Sequence, residues 1–230
     1  RKKIDKKSNT LFLSPLEVLK LNAFEEINVI DARDKAHKET KRLLRELTEF
    51  KVPDKPDIKG LKSKLRPYQE MGAEWLWFLY YHGLSGLLCD DMGLGKTHQA
   101  MALLAAIKNK KHAEGAPGKV HFLVVCPTSV IYHWQEKLKD YLPGMKVWTF
   151  YGANRTLEGF RGDYDILLTS YGIWRNEAEQ IRHIPFEAAI FDELQIAKNQ
   201  TSRIYNALLK VNARMRLGMT GTPIENRLRE

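Results

Sequence analysis

The sequence predicts an α/β fold, a mostly parallel sheet covered by helices on both faces, and three observations carry that expectation. Short apolar runs recur near residues 86–89, 120–125, 146–150, 165–169, 187–191 and 214–219, with helix-forming segments between them. Parallel strands at this spacing need crossover connections, and the crossovers bury both faces of the sheet. The first run stops in Asp90-Asp91-Met92-Gly93-Leu94-Gly95-Lys96-Thr97, a glycine-punctuated turn that restarts as a helix. A later run, Ala188-Ala189-Ile190-Phe191, ends in the carboxylates Asp192 and Glu193.

At 230 residues the chain is long enough for one large domain and an appendage. It begins Arg1-Lys2-Lys3 and stops at Glu230 just after a motif-like segment, so it reads as a piece of something longer. Thirty-seven Lys and Arg against 28 Asp and Glu leave a net charge of +9, which favours a polyanionic partner such as nucleic acid without proving one. Residues 1–64 hold 17 basic and 11 acidic side chains, so most of the excess sits there and the remainder is nearly balanced. Cys89 and Cys126 each end an apolar strand, and their separation matches no metal-ligand cluster. They read as buried, reduced thiols of an intracellular protein. No apolar run approaches ~18 residues and no signal peptide is visible, so neither membrane insertion nor secretion is expected.

Taken in order, a basic leader precedes Ser14-Pro15-Leu16-Glu17, a capping box with proline in the first helical turn. Leu16, Leu19, Phe24 and Ile27 follow at mostly helical spacing, and a charged helix over 31–50 completes an expected helical hairpin. Pro53, Pro56 and Gly60 mark a linker, which divides the chain into residues 1–60 and a main domain over 61–230. Arg66-Pro67-Tyr68-Gln69 opens a helix to about Tyr81, nearly buried because of its aromatics, with Tyr68 and Gln69 at its exposed start. Further helices are expected near 96–109, 129–141 and 201–210, and a polar, glycine-rich surface loop over 112–118.

The chemistry is concentrated at three strand ends. Gly93 and Gly95 let the backbone approach a polyphosphate with its N–H groups inward and the positive end of a helix dipole behind them. Lys96 can then reach the β- and γ-phosphates, and the Thr97 hydroxyl can ligate Mg²⁺. The general phosphate-loop pattern has a glycine where Asp90 stands, and Gly-Lys-Thr by itself can also be a helix-capping turn. In an α/β sheet the carboxyl ends of the strands line the ligand crevice, which brings Asp192 towards Thr97 and the metal. Asp192 is then the Mg²⁺-side ligand, and Glu193 orients and deprotonates the attacking water. Alone, a strand-terminal Asp-Glu is as readily a helix cap. The last strand runs into Thr220-Gly221-Thr222-Pro223, where two hydroxyls can sense a γ-phosphate; taken alone, that segment is a turn.

In order, Leu65-Arg66-Pro67-Tyr68-Gln69, the Asp90–Thr97 loop, Val125-Cys126-Pro127-Thr128-Ser129, Leu168-Thr169-Ser170-Tyr171, Asp192-Glu193-Leu194-Gln195 and Thr220-Gly221-Thr222-Pro223-Ile224-Glu225-Asn226 resemble the motifs of the SWI/SNF-like ATPases of helicase superfamily two. Over roughly residues 61–226 the chain is similar to their first RecA-like lobe, and Asp90 in place of glycine fits that family's loop. The resemblance implies a motor that tracks along double-stranded DNA by closing two lobes around ATP and Mg²⁺. It implies that Gln69 reads the adenine edge, with Arg66 and Tyr68 shaping the pocket and Asp91 to Thr97 holding the phosphates. Gln195, Thr220 and Thr222 would couple nucleotide state to DNA. Thr128, Ser129, Thr169 and Ser170 would meet DNA phosphates through hydroxyls and amides, contacts that position without reading bases. Lys198-Asn199 keeps a pair that follows the acidic motif in the family and is grouped with the DNA contacts.

Gln195 departs from the histidine common in the family, keeping a donor and an acceptor but not titrating. The second lobe, with the arginines that meet the γ-phosphate, is expected beyond Glu230. Such an arginine is worth ~10³–10⁵ in rate, so the 230 residues alone should bind ATP weakly and barely hydrolyse it. Strand-separating helicase and non-catalytic phosphate-loop module are the alternatives. Nucleosomes, other DNA-bound proteins and bare DNA are all open as cargo.

Overall fold

The computed structural model describes residues 54–115, 119–197 and 203–221, with short pieces at 3–5, 10–12, 45–46 and 49. In the expected basic leader, strands β1 (Lys3–Asp5) and β2 (Thr10–Phe12) pair antiparallel, with Ile4 opposite Leu11. Most of the expected helical hairpin over 14–50 lies outside the described residues.

Six strands form the main sheet: β3 (Gly86–Leu88), β4 (Phe122–Cys126), β5 (Val147–Thr149), β6 (Ile166–Ser170), β7 (Phe186–Asp192) and β8 (Ala213–Met219). Their order is β3-β8-β7-β4-β6-β5, and every pairing is parallel. All six coincide with the predicted apolar runs to within two residues. Alternation divides the core in two, as a doubly covered sheet requires. Phe122, Val124 and Cys126 join Ala188, Ile190, Met215 and Leu217 on one face, while Leu123 and Val125 join Leu167, Ala189 and Phe191 on the other.

Helices α1 (Pro67–Tyr81), α2 (Lys96–Ala113) and α3 (Ile131–Tyr141) cover the first face. The short α4 (Phe160–Asp163), α5 (Tyr171–Ile181) and α6 (Arg203–Lys210) serve the second. Every residue of α2 from Gln99 to Ile107 is buried, because the helix is flanked by both the sheet and α1. Four alanines at 100, 102, 105 and 106 permit that close packing. This helix runs one turn beyond the expected limit, and Lys110, Lys111 and His112 sit where the negative end of its dipole favours cations. Residues 112–113, expected in a surface loop, are therefore helical.

Helix α5 is a correction, since no helix was expected there. Its apolar residues are sparse, with only Tyr171, Trp174 and Ile181 buried, and Gly172 stands in its first turn. The segment read as a linker is docked from Asp54 onward: the Trp77 indole donates to the Asp54 carbonyl at 3.1 Å, Asn109 donates to the carbonyls of Asp57 and Lys59, and Ile58 packs on the core. Cys126 is fully buried and its thiol is pushed up to about 12 by that burial, whereas Cys89 is only partly covered.

Candidate active site

The geometry of the site follows from strand order. Leu88 pairs with Met219, and Met219 pairs with Asp192, so the ends of β3, β8 and β7 lie on one line. Adjacent strands are ~4.8 Å apart, which leaves roughly 10 Å between the loop that follows β3 and the carboxylates that end β7. The end of β8 lies between them, its Thr220 amide donating to the Leu88 carbonyl at 3.1 Å.

Gly93 and Gly95 have φ of 85° and 80°, the left-handed backbone that only glycine takes without strain. At Gly95 a side chain would also run into the Gln69 amide. The Lys96 ammonium donates to the carbonyls of Asp90 (2.6 Å) and Asp91 (3.0 Å), folded over the loop it belongs to. Asp90, standing where the general pattern has glycine, accepts from Gln99 Nε2 at 2.8 Å and so ties the start of the loop to helix α2.

Gln69 was expected at an exposed helix start but is buried. Its Nε2 donates to the Leu94 carbonyl at 2.9 Å and its Oε1 accepts from the Arg66 amide at 2.9 Å, the half of a capping box that a glutamine at this position supplies. The Tyr68 hydroxyl donates to the same Leu94 carbonyl at 3.1 Å. Tyr68 and Gln69 are thus joined directly to the phosphate loop, and Arg66 is tied to it through Gln69. Met92 packs on Gly221, joining that loop to the turn after β8 as well.

Asp192 Oδ2 accepts from Trp134 Nε1 at 2.8 Å, Oδ1 accepts from the Glu193 amide at 3.1 Å, and the backbone carbonyl accepts from the Tyr171 hydroxyl at 2.8 Å. Burial raises the carboxyl above its ordinary range and Glu193 adds to that, while the indole hydrogen bond and the positive charge of Lys96 oppose it. Burial likewise raises the Tyr171 phenol. Gln195 Nε2 donates to Glu193 Oε2 at 2.6 Å, and Gln195 Oε1 accepts from the Thr220 hydroxyl at 2.7 Å. The glutamine uses both halves of its amide to link the acidic motif to the end of β8.

The hydroxyl-bearing residues divide. Thr128 and Ser129 are exposed in a 3-10 turn, Thr128–Val130, at the end of β4. The hydroxyls of Thr169 and Ser170 are engaged inside the domain. Thr169 is fully buried and donates to the Phe150 carbonyl at 2.9 Å, and Ser170 caps α5 by accepting from the Ile173 amide at 3.4 Å. Lys198, Asn199 and Thr222 lie outside the described residues. Trp134 and Tyr171 were missed as site residues. The signal available for Trp134 was its indole N–H, which needs an acceptor once buried.

The residues fit a magnesium nucleotide. Among the described residues no three His, Cys, Asp or Glu side chains cluster as a metal site. Mg²⁺ needs no such cluster, taking one or two protein oxygens beside phosphates and water. A left-handed glycine loop entering a helix, a lysine over it and a strand-end Asp-Glu on the same line define a RecA-like phosphate-loop ATPase domain.

A family model for the SNF2-related domain matches residues 68–230, and the chain belongs to that family. It is 37% identical over 196 residues to the TATA-binding protein-associated factor mot1 of Aspergillus fumigatus, covering 81% of this chain and 10% of that protein. It is 35% identical over 198 residues to the putative ATP-dependent helicase/translocase YwqA of Bacillus subtilis, covering 84% of this chain and 21% of that protein. The SWI2/SNF2 ATPase core of Sulfolobus solfataricus in complex with dsDNA is 32% identical and superposes with a TM-score of 0.66, over 76% of this chain and 36% of that one. The chain therefore spans only about a tenth to a fifth of the length of these two relatives. No described helix is long and apolar enough to cross a membrane.

Proposed function

We propose that this chain is the ATP-binding lobe of a DNA-dependent ATPase that translocates on double-stranded DNA when paired with a second RecA-like lobe. The observation that carries the reading is the single line Leu88, Met219, Asp192, which sets the loop, Thr220 and the acidic pair at one edge of the sheet. Bound Mg²⁺ supplies charge neutralisation at the phosphates and a template for in-line attack.

The chain's own residues do the rest. Backbone amides of 93–97 cradle the phosphates, and Lys96 exchanges two carbonyl partners for phosphate oxygens. Thr97 and Asp192 hold the metal side. Glu193 orients the attacking water and takes its proton, its free rotation limited by Gln195. Gln195 and Thr220 transmit loss of the γ-phosphate, and Arg66, Tyr68 and Gln69 frame the adenine. Thr128 and Ser129 meet the DNA backbone. The dsDNA in the Sulfolobus complex supports a duplex as the partner.

The test is Glu193→Gln in the full-length protein, with ATP binding and hydrolysis followed separately with and without double-stranded DNA. Hydrolysis should fall at least ~10²-fold while nucleotide binding persists. Wild-type turnover should rise on adding duplex; a rate indifferent to both the substitution and the duplex would overturn the reading.

A further inference from the structure

Trp134 lies in the first turn of α3 and is 1% exposed, so no water can replace its partner. A phenylalanine could fill much of the same apolar space. The indole adds one donor, and that donor is spent on Asp192 Oδ2 at 2.8 Å rather than on any backbone carbonyl. An ionised carboxylate offers about four acceptor sites on two oxygens, so the indole and the Glu193 amide fix its plane and leave lone pairs on both. Helix α3 follows the 3-10 turn Thr128–Val130 without a break. A continuous helical path therefore joins the exposed hydroxyls of Thr128 and Ser129 to the carboxylate.

We infer that Trp134 is a positioning residue for Asp192: its indole N–H holds the carboxylate in the orientation that receives the metal, and α3 makes that orientation responsive to what the Thr128–Ser129 turn binds. The inference deepens the proposed function and rests on it. Buried as it is, Trp134 acts through Asp192. Partners that orient a metal ligand are commonly worth ~10–100-fold in metal affinity.

The experiment uses the full-length protein, with Trp134→Phe and Asp192→Asn made side by side. Mn²⁺ binding in the presence of ADP is measured by electron paramagnetic resonance, together with the Mg²⁺ dependence of ATP hydrolysis with and without duplex DNA. In Trp134→Phe the Mn²⁺ dissociation constant and the half-saturating Mg²⁺ should rise about tenfold. The KM for ATP at saturating Mg²⁺ should stay within about twofold, and stimulation by DNA should fall. Lost packing alone would lower the melting temperature without moving the metal midpoint. Unchanged metal midpoints in Trp134→Phe, with Asp192→Asn strongly impaired, would overturn the inference and leave the site reading standing. Unchanged metal binding in Asp192→Asn would overturn the site reading itself. Should Trp134→Phe fail to fold, wild-type protein with ¹⁵N-labelled tryptophan decides: substoichiometric Mn²⁺ with ADP should broaden one buried indole N–H signal. Equal persistence of all the indole signals would refute the placement.

Discussion

Glu193 is the one described residue other than glycine with a positive φ, 50°. A left-handed backbone costs such a residue about 1–2 kcal/mol, and the strain is tolerated where the surroundings impose it. Here the imposing contacts are the Glu193 amide on Asp192 and the Gln195 amide on the Glu193 carboxylate. Gly95 shows the complementary case, a left-handed position at which the tightly packed Gln69 amide also excludes a side chain. Gly95→Ala should lose about 2 kcal/mol or more of stability by denaturant titration and weaken ATP binding, since Gln69 must leave Leu94. His98 carries a pH signature. Partial burial first, and the Lys137 charge second, lower its pKa below the ordinary histidine value, beside Tyr141 whose ring lies edge-on at 4.9 Å. With the folded pKa below the unfolded one, the unfolded chain binds the proton first as pH falls through about 6.5, so stability is full above that pH and declines beneath it. His98→Gln should flatten this slope in melting temperatures recorded between pH 7.5 and 5.5.

At the scale of elements, the strands were readable because the signal is local: β4 and β6 are buried at every position, while β8 alternates Met215 and Leu217 with Arg214 and Arg216. Helix α5 was not, because its buried stripe is three residues long over 11 positions and its start lay inside a segment read as a DNA contact. Ser170 was the missed signal, a serine directly before a helix being a cap as readily as a phosphate ligand. The two roles separate experimentally. Ser170→Ala should cost about 0.5–1 kcal/mol of stability, and Thr169→Val about 1–3 kcal/mol through the Phe150 carbonyl it deserts. Both should leave the affinity for duplex DNA unchanged in a binding titration. Thr128 and Ser129, on an exposed turn, belong to the opposite class.

For the whole molecule, the proposed DNA contact is to phosphates, so the logarithm of affinity should fall linearly with the logarithm of salt concentration, with a slope set by the phosphates neutralised. A titration in the full-length protein from low to high salt checks this, and a flat line would contradict backbone binding. What the amino-acid order determined by itself was the features with the strongest short-range signatures. The strand pattern, the glycines of the loop, the lysine and threonine behind them and the acidic strand end could all be read because period and turn chemistry act over a few residues. Tertiary structure alone decided which side chains pair. Trp134 meets Asp192 across 58 positions and Gln195 meets Thr220 across 25, contacts that exist only once the strand order β3-β8-β7-β4 is set. The buried hydroxyl of Thr169 was decided in the same way, since burial depends on which neighbour a crossover delivers and no local pattern encodes that.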